Sequence, residues 1–256
     1  MTSLGDDVFA VRHKSQQVEV YDAVRFTLQR RLSVPGLGCY SLGLAAFAAN
    51  NCLYASDFNS DRIHRVELSG SNAVTQWPVG RGPAGLTVNT DQKVLVVIQD
   101  ERQLQQFTTD GTLLQTIQLQ RDTEVPRRVV ELSSGQFVIS HIGRHHRVCL
   151  LGAKGAVVRS YGGTPGSDRT NLKGPAGLAV DKHGNVLVAV ESNNRLLVLD
   201  RSLTTARVMP VTVDGGLKGP CSLCYDKSRG RLYIGEWSGQ RVIIIDHLKD
   251  FTASQV

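Results

Sequence analysis

Apolar residues in this chain come in short runs of four to six, rich in Val, Leu and Ile and bounded by Gly, Asp, Asn or Ser, as in Val186 to Val190 and Leu196 to Leu199. Runs of that length and composition predict β-strands joined by tight turns. Asp181-Lys182-His183-Gly184-Asn185 and Asp226-Lys227-Ser228-Arg229-Gly230 supply hairpin chemistry between two such runs, with Gly available for positive φ. A more polar fourth run closes most groups: Val74 to Val79, Leu113 to Leu119 and Val157 to Tyr161.

The groups repeat. Anchored on the residue before the third run, they fall at Gln17, Arg62, Gln103, Arg147, Arg195 and Arg241, at intervals of 45, 41, 44, 48 and 46 residues. Four strands at such a period predict one propeller blade per group. The expected fold is therefore an all-β, six-bladed β-propeller of four-stranded antiparallel blades, filling 1–256 as one domain with blades near 1–38, 39–80, 81–122, 123–170, 171–215 and 216–256. Small residues in the first run, as at Gly43, Gly85 and Gly177, suit an innermost strand where blades converge, and Pro83, Pro126, Pro175 and Pro220 set the entry turn. Blade one lacks a recognisable first run, so the expectation is that the C-terminal segment Phe251 to Val256 pairs with it and closes the fold.

Composition agrees with a folded chain: 41% hydrophobic and 20% charged residues over 256 positions. No apolar window reaches membrane-spanning length, and the start lacks a basic, then apolar leader. Five scattered cysteines suit a reducing compartment. The expectation is a cytoplasmic, monomeric module without membrane contact, able to belong to a longer protein. The net charge of +6 permits attraction to polyanions.

In residues 174 to 200, Pro-x-Gly-Leu-Ala-Val-Asp is followed by Gly-Asn and an apolar run, then by an acidic residue, Asn and Arg. This resembles the NHL repeat, and 219 to 246 resembles it well. Leu53-Tyr54-Ala55-Ser56-Asp57 is also similar to the six-bladed repeats of lipoprotein-receptor ectodomains. The NHL resemblance implies a six-bladed propeller acting as a binding platform, as in tripartite-motif proteins, where such modules bind single-stranded or hairpin RNA, or proteins. The RING, B-box and coiled coil of a ligase are not in these residues. Some six-bladed relatives are metal-dependent lactonases or amidating lyases, which leaves an enzyme as a further alternative.

Sorting charges by strand ends puts the basic excess on the face that carries the connections between second and third strands. The candidate binding residues there are Arg127, Arg128, Arg144, His145, Arg147 and Trp237, with Arg62, Arg195 and Arg241 behind them. Arginines would take phosphate and Trp237 would stack on a base. Asp57, Glu191 and Glu236 precede Arg62, Arg195 and Arg241 by four or five residues, and are expected to pair with them across the turn. Arg144 and Arg147 have no acid in that place, because His141 occupies it. No His-Glu-x-x-His, Gly-x-Ser-x-Gly or phosphate-binding glycine loop is present, and Cys221 and Cys224 lie on one predicted strand facing opposite ways. The expectation is an RNA-binding or protein-binding domain with no catalytic residue, no metal and no cofactor.

Overall fold

A computed structural model describes residues 1–11, 15–38, 41–166, 171–237 and 241–246. The chain is an all-β, six-bladed β-propeller, and its blades fall into two compact units, Met1–Leu119 and Gln120–Val256.

In the first unit, blade one is β1 (Thr2–Leu4), β2 (Asp7–Val11), β3 (Gln17–Asp22) and β4 (Leu28–Ser33). Blade two is β5 (Ser41–Phe47), β6 (Cys52–Asp57), β7 (Arg62–Glu67) and β8 (Val74–Pro78). Blade three is β9 (Pro83–Val88), β10 (Val94–Ile98), β11 (Gln103–Phe107) and β12 (Leu113–Gln118). In the second unit, blade four is β13 (Val125–Glu131), β14 (Phe137–Ile142), β15 (His146–Leu151) and β16 (Val157–Gly163). Blade five is β17 (Pro175–Val180), β18 (Val186–Val190), β19 (Arg195–Leu199) and β20 (Ala206–Met209). Blade six, in the described residues, is β21 (Pro220–Asp226), β22 (Arg231–Glu236) and β23 (Val242–Ile245).

Every pairing is antiparallel and every sheet follows chain order. Second strands are the most apolar because both their faces are covered: all five residues of β10 and of β18 are buried. Each such Val, Leu or Ile contributes about 1.5–3 kcal/mol by leaving water. Fourth strands lie at the sheet edge, and β4 and β12 each bury a single residue.

Blade one corrects the expectation about its missing strand. Thr2 pairs with Phe9, Ser3 with Val8 and Leu4 with Asp7, so the chain's own start completes the sheet. Three residues are too few to show a periodicity, which is why the strand is silent in the sequence. The segment Phe251 to Val256 lies outside the described residues.

First strands of successive blades lie side by side, β1, β5 and β9 in one unit and β13, β17 and β21 in the other. Each of β5, β9, β17 and β21 slips register just after its opening residue, and β13 after its second, Pro126. There the backbones meet closely: a Cβ on Gly43 would lie 2.8 Å from Ala84 O, and one on Gly177 would lie 2.9 Å from Leu223 N. Glycine is required because a side chain has no room. Counted from the residue before the slip, Pro126, Pro175 or Ser41, blade four has Arg128 where blades two and five have Gly43 and Gly177.

Candidate interaction face

The residue just before each anchor, at or next to the start of the third strand, ties one blade to the next. In the first unit Asp61 Oδ1 accepts from Gly82 N–H at 2.8 Å. In the second, His146 Nδ1 accepts from Gly174 N–H at 2.9 Å and Asn194 Oδ1 from Gly219 N–H at 2.7 Å. Asp61 and Asn194 are left-handed, with φ of 54° and 50°, a conformation that Asn and Asp tolerate better than most residues. The Asn-Arg of the repeat is thus an acceptor followed by a strand start, and its Asn serves the backbone.

The acids at the ends of second strands, and Glu101 in the turn after β10, also serve the backbone first. Asp57 accepts from Gly38 N–H at 2.7 Å, Glu101 from Arg81 N–H at 2.8 Å and Glu236 from Lys218 N–H at 2.5 Å. Each closes the chain's entry into its own blade, where a buried N–H without a partner would be costly.

Two of the three expected carboxylate–arginine pairs are therefore not formed. Asp57 is buried, with its Oδ2 spent on Gly38 and 3.7 Å from His64 Nε2, and it makes no ion pair with Arg62 among the described residues. Glu191 pairs with Arg127 of the preceding blade at 2.9 Å, while Arg195 donates to Asn171 O at 2.7 Å. Glu236 does meet Arg241, at 2.6 and 3.1 Å, and Arg241 also donates to the carbonyls of Asp214 and Gly216. Burial works to raise the Glu236 carboxyl, but Arg241 and the Lys218 N–H outweigh it and hold the group below its usual range.

Blade four reverses the arrangement. With His141 at the strand end, the carboxylate comes from the entry segment instead: Glu124 accepts from Arg144 N–H at 2.6 Å and lies 3.6 Å from its Nε. Arg147 pairs with Asp122 at 3.1 Å. The expectation that Arg144 and Arg147 lack acidic partners is corrected, since the acids lie more than twenty residues upstream in sequence or close to it and only the fold brings them near. The Arg144 side chain is still 87% exposed, so its pairing is weak and solvent-screened. His145 is half-buried beside it.

Trp237, in the loop after β22, is 52% exposed, whereas Phe58 and Ile142 in like positions are half-buried. Loops after second strands share the entry-segment side of each blade, so Arg144 and Trp237 belong to the same side of the second unit. Arg127 and Arg128 lie farther in, on β13.

No group of three or more His, Cys, Asp or Glu able to hold a metal occurs among the described residues. Cys52, Cys149, Cys221 and Cys224 are not joined in disulfides. His64 and His141 are buried with neither ring nitrogen hydrogen-bonded. Burial lowers both, His141 to about 4, with the Arg147 charge adding to the effect at His141 and Asp57 opposing it at His64. In the first unit, a groove of about 560 Å³ is lined by Arg31, Ser33, Ser71, Asn72 and Gln76, but Arg31 is held by Glu19 at 3.2 Å. No helix among the described residues is long and apolar enough to cross a membrane.

No protein-family model matches the chain, and no curated protein matches it in sequence. Solved structures do match in fold. A nidogen/laminin complex chain superposes with a TM-score of 0.72 at 17% identity, over 94% of this chain and 89% of that one. Hydrazine synthase of Kuenenia stuttgartiensis gives 0.70 at 16%, over 94% and 92%. A catalytically inactive virginiamycin B lyase from Staphylococcus aureus with quinupristin gives 0.68 at 12%, over 96% and 82%. At these identities the likeness is one of fold, shared by an enzyme and by a member of a protein complex alike.

Proposed function

We propose that the chain is a non-catalytic interaction domain of NHL type that binds a partner protein through the side of its second unit bearing Arg144 and Trp237. The observation that carries this reading is the state of the cations there. Arg147 and Arg241 are paired with Asp122 and Glu236, and Arg195 donates to a carbonyl. Such a surface offers little free positive charge to a phosphate backbone. It does offer an exposed tryptophan and an exposed arginine, the residue types that dominate binding energy at protein interfaces. A fold neighbour is nidogen, solved in complex with laminin, and the present scaffold suits the same kind of role. Arg144 and Trp237 are also what remains of the RNA-binding alternative, in which they would hold phosphate and base.

The two readings separate in one experiment. The full chain is used as bait in a cell extract, with and without nuclease, beside the Trp237→Ala variant. A partner retained after nuclease and reduced roughly tenfold or more by W237A supports protein binding. Retention that nuclease abolishes supports RNA and overturns it.

A further inference from the structure

Blades two and five use Gly43 and Gly177 at the inner register position to let neighbouring strands touch, and blade four instead has Arg128 there. The residue is partly buried in the second unit, beside Arg127 and close enough to Cys221 to feel it electrostatically. Among the described residues its one side-chain hydrogen bond is from Nη1 to Arg127 O, at 3.2 Å. A guanidinium carries five N–H donors in a planar fork, so most of this one's capacity is unused. Among the described residues no carboxylate forms an ion pair with it, and Glu191 is engaged by the neighbouring Arg127. Cys221 brings no negative charge either, because burial raises its thiol above the usual range. Partial burial brings the Arg128 pKa down to about 10, and the residue keeps part of its surface open to solvent.

We infer that Arg128, with Arg127 beside it, forms an anion site at the inner edge of the second unit that takes a small oxyanion, a carboxylate or a phosphate, on its unused N–H groups. The chemistry is specific. A guanidinium fork matches two oxygens of one anion with two parallel hydrogen bonds, and low local polarity strengthens them. A lone interior charge is costly to keep, so a fold that only needed to pack would retain the glycine of blades two and five. The site is separate from the Arg144 and Trp237 side and stands whether or not a partner protein binds there.

The test is thermal unfolding of the full chain in chloride, in sodium phosphate and in sodium acetate at one ionic strength, for the native protein and for Arg128→Gly. R128G restores the residue that other blades carry and is expected to fold, with a midpoint in chloride at or above the native one. The native protein is expected to gain roughly 2–4 °C in at least one of the two oxyanions at millimolar concentration, and R128G to gain nothing. Arg128→Lys, which keeps charge but not the fork, should lose most of the gain and guards against a glycine variant that fails to fold. Equal gains in native and variant proteins, or no gain in the native protein, overturn the inference. An R128G midpoint in chloride several degrees below native, with no native response to either anion, would assign Arg128 to packing alone.

Discussion

Blades four and five are built from the same four strands in the same order, and they differ at the inner edge and at the end of the second strand. Blade five has Ala176, Gly177 and Val190 where blade four has Arg127, Arg128 and His141. Each change replaces a small or apolar residue with a titratable one. The central strands do not follow: Phe137–Ile139 is as buried as Val186–Val188. Stability in a repeat fold comes from the second and third strands and from neighbour contacts, which leaves the blade's inner edge free to carry chemistry. The difference between these two blades therefore locates the part of the chain shaped by something other than folding.

Making blade five resemble blade four at its tightest point should have the largest effect. Gly177→Val places a branched side chain where a Cβ already lies 2.9 Å from Leu223 N and 3.0 Å from Cys221 O. We expect a loss of about 3 kcal/mol or more in urea unfolding.

Converting blade four toward blade five at His141 should change pH dependence. The folded protein holds His141 at about 4, against an ordinary 6.5, so between those values the unfolded chain takes up a proton that the folded one refuses. Stability contributed by the neutral ring is complete above about 6.5 and is lost as pH falls toward 4, by on the order of 3 kcal/mol. His64, lowered in the same direction, adds to the fall. His141→Val, which installs the residue of blade five, should flatten this slope when unfolding free energy is measured across the range.

The smallest effect is the link between the two blades. A double-mutant cycle of Glu191→Gln with Arg127→Leu should give a coupling of about 1 kcal/mol, since both side chains are about three-quarters buried and their N···O distance is 2.9 Å. A coupling near zero would make the pair incidental to blade packing.

The repeat was legible because its period rests on apolar runs and on one anchor per blade, features that survive drift. The partners of the polar residues were not. Glu236 finds Arg241 five positions on, which sequence proximity suggests, but its backbone partner Lys218 is eighteen residues back. Asp122 and Glu124 meet Arg147 and Arg144 across 25 and 20 residues, separations that a hairpin pattern does not encode. The acceptor role of Asp61, His146 and Asn194 left a trace, a polar residue before each anchor, yet three different residue types perform it. Arg128 was visible as part of a basic pair, and its departure from the glycine of its sister blades emerges only once strand register is aligned.

The central claim is that Arg147 and Arg241, on the entry side of the second unit, are held by Asp122 and Glu236 and so add little to polyanion binding. Binding of a random single-stranded RNA pool, measured at two salt concentrations, tests it most directly. The account predicts weak association with a shallow salt dependence, equivalent to no more than one or two phosphates at about −0.7 in log K per log salt for each. Tight binding with a slope of several phosphates, reduced by replacing Arg144 and Arg147 together, would contradict it.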